Sequence, residues 1–111
     1  MLDINVSAEA QVVIVTVQGR VDSSTAGQLG EALTGVVEEG SSQIVLNLGG
    51  VDYMSSAGLR EMVAALKKVR PQGGDMRIAE VTERVFEVFE LSGLNSLLQF
   101  FDSSAEAAGS F

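Results

Sequence analysis

The sequence predicts an α/β fold, a single domain with a mixed four- to five-stranded β-sheet flanked by about four α-helices. Short runs of apolar, β-branched residues alternate along the chain with longer segments whose apolar residues recur at helical spacing. Glycines and helix-capping residues separate these segments. The length of 111 residues suits one domain and leaves little room for a second.

The N-terminal region predicts a β-hairpin. Residues 12–17 are all β-branched and almost all apolar, which predicts a strand covered on both faces that stops at Gly19. Residues 3–8 predict a weaker strand that pairs with it. Antiparallel pairing in this hairpin would make the sheet mixed, since the later strands are expected to be parallel.

A first helix follows the hairpin. Residues 22–25 are rich in helix-capping side chains and precede a predicted helix of about 15 residues that ends at Gly40. The stripe of this helix that is predicted to face the core comprises Ala26, Leu29, Leu33, Val36 and Val37.

The middle of the chain predicts a strand, a loop and a second helix. Residues 43–48 read as a central strand, which the glycine pair at 49–50 breaks before a loop over 51–56. A helix is predicted over 57–69, and Pro71 ends it. Its apolar face is predicted to comprise Leu59, Met62, Val63, Leu66 and Val69.

The last third of the chain continues the alternation. Residues 76–79 predict a short strand, parallel to the central one through a right-handed crossover. Thr82 is the predicted cap of a third helix that stops at Gly93. Residues 97–101 predict either a last helical turn or an edge strand, and the Ser-x-x-Glu pattern at 103–106 predicts a short C-terminal helix. The core residues expected on the third helix are Val85, Phe86 and Phe89.

Composition excludes several classes of function. The chain has no histidine, the usual general base at neutral pH and the commonest metal ligand, and no cysteine for disulfides or thiolate metal sites. Fifteen acidic and seven basic residues give a net charge of −8, which disfavours binding to nucleic acid or anionic membranes. We therefore expect no metal, no cofactor and protein partners. With no signal peptide or membrane-spanning run in the sequence, a cytoplasmic location is expected.

The candidate site is the predicted junction between the central strand and the second helix. Ser55 and Ser56 lie where a helix start offers unpaired N–H groups and a partial positive charge, an environment that tolerates phosphate. Gly58 would let the backbone or a docking surface approach closely, and Arg60 lies four residues after Ser56, hence near it on the helix surface. Local physics alone favours a plain capping role for one of the serines.

The junction also carries a resemblance to a known family. Residues 44–48 (IVLNL) and 51–60 (VDYMSSAGLR) look like the signature of STAS domains, specifically the bacterial anti-sigma factor antagonists, or anti-anti-sigma factors. Further similarity at 19–22, 76–79 and 85–94 extends the resemblance over essentially the whole chain. It implies one STAS domain over residues 1–111, with a core over about 3–102 and a short C-terminal helix or tail over 103–111.

The resemblance implies a partner-switching mechanism without enzymatic activity. The unphosphorylated domain would bind an anti-sigma factor serine kinase of the histidine-kinase-like ATPase class, and phosphorylation would release it. A PP2C-type phosphatase would reset the switch. The family's acceptor directly precedes a Ser/Thr/Ala-Gly-Leu triplet, which makes Ser56 the predicted phosphorylation site. Ser55, at a position that often carries aspartate in the family, is the alternative acceptor. The resemblance also implies that the domain is a monomer or a weak dimer.

The predicted partner-binding surface joins this junction to the start of the first helix. From the sequence, Asp22 is equally suited to helix capping and to function; the resemblance places the matching acidic residue beside the acceptor loop. Arg60, Lys67 and Lys68 form a basic stripe that is more typical of a solvated face than of a docking patch. The predicted contact set is Asp22, Ser23, Thr25, Met54, Ser55, Ser56, Ala57, Gly58 and Arg60.

Two other functions compete with the switch. Some STAS domains serve as a scaffold or regulatory subunit of a larger signalling or transport assembly, and this chain could do the same. A nucleotide-binding or acyl-transfer role is disfavoured, because the sequence has no phosphate-binding glycine loop, no histidine and no G-x-S-x-G elbow. The glycine pairs at 49–50 and 73–74 are predicted turns instead.

Overall fold

The computed structural model describes residues 2–111, which form a five-stranded sheet in the order β1-β2-β3-β4-β5. The strands are β1 (Leu2–Glu9), β2 (Val12–Val21), β3 (Gln43–Met54), β4 (Asp75–Ala79) and β5 (Phe100–Phe101). The helices are α1 (Ala26–Glu38), α2 (Ser56–Val69), α3 (Glu83–Ser92) and α4 (Ser104–Gly109). β1 and β2 pair antiparallel and all other neighbours pair parallel, so the predicted mixed α/β fold is confirmed.

Helices cover both faces of the sheet. Residues from α1, α2 and α3 pack in one cluster with Ile44 and Leu46 of β3, whereas Ala107 of α4 packs in a second cluster with Val45. Because successive residues of a strand point to opposite faces, these clusters lie on opposite sides of the sheet. The cover on both faces explains why the central strands are apolar almost without interruption.

The helix limits follow the predicted caps. The hydroxyl of Thr82 accepts a hydrogen bond from the backbone N–H of Val85, and the hydroxyl of Ser103 accepts one from Glu106 at 3.1 Å. α3 ends at Ser92, and the next residue, Gly93, has a φ of +79°, the left-handed conformation typical of a helix end. Of the two alternatives for residues 97–101, the edge strand is correct. The predicted core stripes are buried, apart from residues at their borders that are half-buried: Val37, Val63 and Phe86.

The two central strands run further than their glycines predicted. β2 continues past Gly19, and β3 continues through its glycine pair to Met54, so the predicted strand break and the loop over 51–56 were wrong. Gly19 has a φ of +120°, and the pairing of β2 with β3 shifts register around it, so the strands form a bulge instead of ending. A Cβ on Gly50 would come within 2.6 Å of the Gln18 side chain. The two strands are therefore too close at this point for any residue larger than glycine.

Candidate functional site

The two serines at the start of α2 have different environments. The backbone of Ser55 is extended, and its hydroxyl accepts a hydrogen bond from the N–H of Gly58 at 3.4 Å, so Ser55 is the N-cap. Ser56 is the first helical residue and its side chain is exposed. Among residues 2–111, no hydrogen-bond partner is found for the Ser56 hydroxyl. The capping role that the sequence allowed for either serine therefore belongs to Ser55.

The start of α1 lies directly beside this junction. The N–H of Ser55 donates a hydrogen bond to the carbonyl oxygen of Val21 at 2.8 Å, and Val21 pairs with Met54 at the end of the parallel strands. Asp22, the next residue of the chain, is therefore close to the start of α2. Because β2 and β3 extend this far, they bring the start of α1 beside the start of α2, the two segments that were predicted to share one surface.

The carboxylate of Asp22 organises the turn that leads into α1. One carboxylate oxygen accepts hydrogen bonds from the hydroxyl and the backbone N–H of Ser24, at 2.6 and 2.9 Å, and from the N–H of Thr25 at 3.2 Å. These bonds, chiefly the one from the Ser24 hydroxyl, lower the pKa of Asp22 to about 2. Asp22 is half-exposed and charged at neutral pH, so it performs a structural role and also presents negative charge at the surface.

Arg20 and Tyr53 complete this surface, and the predicted contact set lacked both. The guanidinium of Arg20 lies 3.9 Å from the centre of the Tyr53 ring and forms an ion pair of 3.2 Å with Asp22. Arg20 and Tyr53 are directly opposite each other in the pairing of β2 with β3. The predicted strands ended before these two residues, so their pairing could not be expected from the sequence.

Two residues of the predicted contact set are in the core instead. Met54 is only 2% exposed, because it packs at the end of β3 beneath α2. Gly58 is also buried, and a Cβ at this position would lie 2.5 Å from the Met54 sulfur and 2.6 Å from Cγ1 of Val21. Gly58 therefore permits close packing of α2 on the core, and the prediction that it and Met54 contact a partner is corrected.

The other members of the set remain accessible to different degrees. Ser23, Ser56 and Arg60 are exposed, whereas Thr25, Ser55 and Ala57 are half-buried. The partner-binding role of these residues stays a prediction.

A groove beside Ser56 separates α2 from the end of α3. Ser56, Arg60, Val63 and Lys67 follow one side of α2, and Leu94 lies across the groove from them. Lys68 instead faces the cleft between α2 and α1. The three cations that the sequence grouped into one stripe thus divide between two sides of the helix, and two of them share the groove with Ser56.

The site presents a hydroxyl without a base to activate it. Nothing within residues 2–111 forms a hydrogen bond with the Ser56 hydroxyl, and the sequence has no histidine. In this described range, no group of three acidic side chains is placed to hold a metal ion. No helix in the same range has the length and apolarity needed to cross a membrane.

Comparisons with known proteins agree with the sequence motif. The family model of the STAS domain matches residues 3–107. BtrV of Bordetella bronchiseptica is 40% identical over 98 residues, which cover 88% of this chain and 84% of BtrV. The anti-sigma-B factor antagonist of Staphylococcus aureus is 33% identical over 97 residues, covering 87% and 90% of the two chains. The crystal structure of an anti-sigma factor antagonist from Mycobacterium paratuberculosis superposes with a TM-score of 0.91 at 22% identity, over 99% of this chain and 93% of that one.

Proposed function

This chain belongs to the STAS domain family, and from that membership we propose that it acts as an anti-sigma factor antagonist. In this proposal it binds an anti-sigma factor serine kinase while Ser56 carries a free hydroxyl. Phosphorylation of Ser56 releases the complex, and a PP2C-type phosphatase restores the binding form. The kinase supplies the catalytic machinery, and this chain supplies the acceptor and the docking surface.

The main support for the proposal is that the hydroxyls of the two serines have different environments. The Ser55 hydroxyl is engaged as the cap of α2, whereas the Ser56 hydroxyl is exposed and unengaged within the described chain. Phosphorylating Ser55 would remove a helix cap, but phosphorylating Ser56 would leave the cap in place. A reversible modification that preserves the fold is therefore better placed on Ser56.

The transfer step follows from this geometry. The Ser56 oxygen attacks the γ-phosphorus of ATP held by the kinase, a new O–P bond forms, and the bond from the γ-phosphorus to the bridging oxygen breaks to release ADP. The hydroxyl proton passes to a base on the kinase, since no base among residues 2–111 is hydrogen-bonded to the Ser56 hydroxyl. Exposure of Ser56 at the first residue of α2 leaves it open to such an active site.

Charge explains why the phosphorylated form dissociates. Phosphate adds about −1.5 to −2 charges at neutral pH to the exposed first residue of α2. A complementary interface formed with the neutral hydroxyl would have to bury this charge without a partner. Since such a mismatch costs several kcal/mol, affinity is expected to fall by about a thousandfold or more.

Phosphate mapping with matched serine variants tests the proposal. A purified anti-sigma serine kinase from the same genome is incubated with ATP and wild type, Ser56→Ala or Ser55→Ala, and the phosphate is located by mass spectrometry. We expect one phosphate on wild type and on Ser55→Ala, and none on Ser56→Ala. Ser56→Asp is expected to lose binding to the kinase in a pull-down. Phosphate on Ser55, or tight binding of Ser56→Asp, would contradict the assignment.

A further inference from the structure

Arg60 is a cation of α2 that has no acidic partner. The ion pairs within residues 2–111 join Arg20 to Asp22 and join Arg70 and Arg77 to Asp75. Arg60 is exposed and takes part in none of them. In a chain with fifteen acidic residues and seven basic ones, an arginine without a carboxylate is available to bind another anion.

The position of Arg60 relative to Ser56 decides which anion it can reach. The two residues are four apart on α2, so their Cβ atoms are about 6 Å apart on the same side of the helix. Both side chains line the groove beside α3. No acidic residue lies in the first turn of α2, and the carboxylate of Glu61 packs instead against Gly30 of α1. Among the α2 residues within one helical turn of Ser56, a phosphate there would thus find one cation, Arg60, and no carboxylate.

We propose that Arg60 binds the phosphate of phosphorylated Ser56 and forms a clasp within α2 that exists only in the phosphorylated state. The planar guanidinium donates two N–H groups to two phosphate oxygens, an arrangement that a lysine cannot reproduce. The clasp orients the phosphate along the groove. Lys67 does not share it, since it lies eleven residues, or about 16 Å, further along the helix.

The clasp controls how easily other proteins reach the phosphate on Ser56. A phosphatase that acts on the phosphoserine must first displace Arg60 from it. The proposal rests on the proposed function only for the identity of the phosphorylated residue. It adds that the chain itself stabilises its phosphorylated state.

Titration of the phosphate tests the clasp without any partner protein. The full chain is produced with phosphoserine installed at position 56 by genetic encoding, in the wild-type background, in Arg60→Gln and in Lys68→Gln. Phosphorus NMR then gives the second pKa of the phosphate in each. Lys68→Gln is the matched control, because it removes the same charge from the same helix on the side that faces α1.

We expect a phosphate pKa that is a few tenths of a pH unit higher in Arg60→Gln than in wild type, because a nearby cation favours the dianion. Lys68→Gln should stay at the wild-type value. Equal values in wild type and Arg60→Gln, or equal shifts in both variants, would overturn the clasp. Failure of the kinase to modify Ser56 would overturn the proposed function and leave this titration unaffected, so the two failures are distinguishable.

Discussion

Replacing Gly58 with alanine tests how the core fixes the start of α2. An ideal Cβ at this position would lie 2.5 Å from the Met54 sulfur and 2.6 Å from Cγ1 of Val21, well inside van der Waals contact. Met54 is 2% exposed and Val21 is fully buried, so neither side chain has space into which it can retreat. Val21 is also β-branched, which restricts its rotamers. Removing the clash of the added methyl group therefore requires α2 to move away from the ends of β2 and β3.

The size of the effect follows from two opposing terms. Overpacking of a filled core typically costs about 1–3 kcal/mol. Alanine is a better helix former than glycine by up to about 1 kcal/mol, and this gain is smaller in the first turn than in the helix interior. We expect Gly58→Ala to lower the free energy of unfolding by about 1–2 kcal/mol. Gly35→Ala is the control: Gly35 is inside α1, nothing lies within 4 Å of its Cβ position, and the substitution should stabilise by about 0.5–1 kcal/mol.

Urea denaturation of wild type and both variants, followed by circular dichroism, measures these differences from the unfolding midpoints at unchanged slope. The two glycine substitutions should move the midpoint in opposite directions. A Gly58→Ala midpoint at or above wild type would show that Met54 and Val21 repack without cost. It would also refute the argument that close packing at Gly58 holds the start of α2 in place.

Three further predictions concern the rest of the fold. Hydrogen bonds, chiefly from Ser24, lower the pKa of Asp22 below its unfolded value, so Asp22→Asn should lower the urea midpoint above about pH 4, and this difference should vanish as the pH falls from about 4 to 2. Asn47→Ala should cost about 1–3 kcal/mol in urea denaturation, because Asn47 is only 9% exposed and its amide donates to the Glu80 carboxylate at 2.9 Å and to the Ser104 hydroxyl at 2.7 Å; a change below about 0.5 kcal/mol would contradict this role. Phe89→Ala should cost about 3–5 kcal/mol and lower the thermal midpoint, since the ring is fully buried; an unchanged midpoint would contradict its place in the core.

The sequence predicted the elements well where local chemistry determines them. Capping side chains and a left-handed glycine set the limits of α3, and these signals act within a few residues of each other. Strand limits depend on partners that are distant in sequence. The glycine pair in β3 looked like a break, but Gly50 lies within β3, where the close approach of Gln18 on the neighbouring strand leaves no space for a side chain. No local signal distinguishes that glycine from one in a turn.

The same error at the strand ends explains what the sequence missed in the site. With β3 ending at residue 48, Met54 belonged to a loop and was expected to be accessible. Once β3 reaches Met54, that residue pairs with Val21, and both side chains enter the core. Arg20 and Tyr53 become neighbours by the same extension. The position of Ser56 was less sensitive, because its place at the start of α2 depends on the helix and not on the strand pairing.

The anchoring of α2 bears on where a modification at Ser56 can have its effect. The residue before Ser56 is tied to β2 through the bond from Ser55 to Val21, and the residue two positions after it, Gly58, is packed against the core. A phosphate on Ser56 therefore cannot be accommodated by a shift of the helix without breaking both contacts. In the proposed switch, the added charge is met at the surface by side chains such as Arg60, whereas an interface formed with the neutral hydroxyl cannot accept it. If Ser56 is the phosphorylated residue, we expect the fold to be the same in both states and the difference between them to lie in the surface around Ser56.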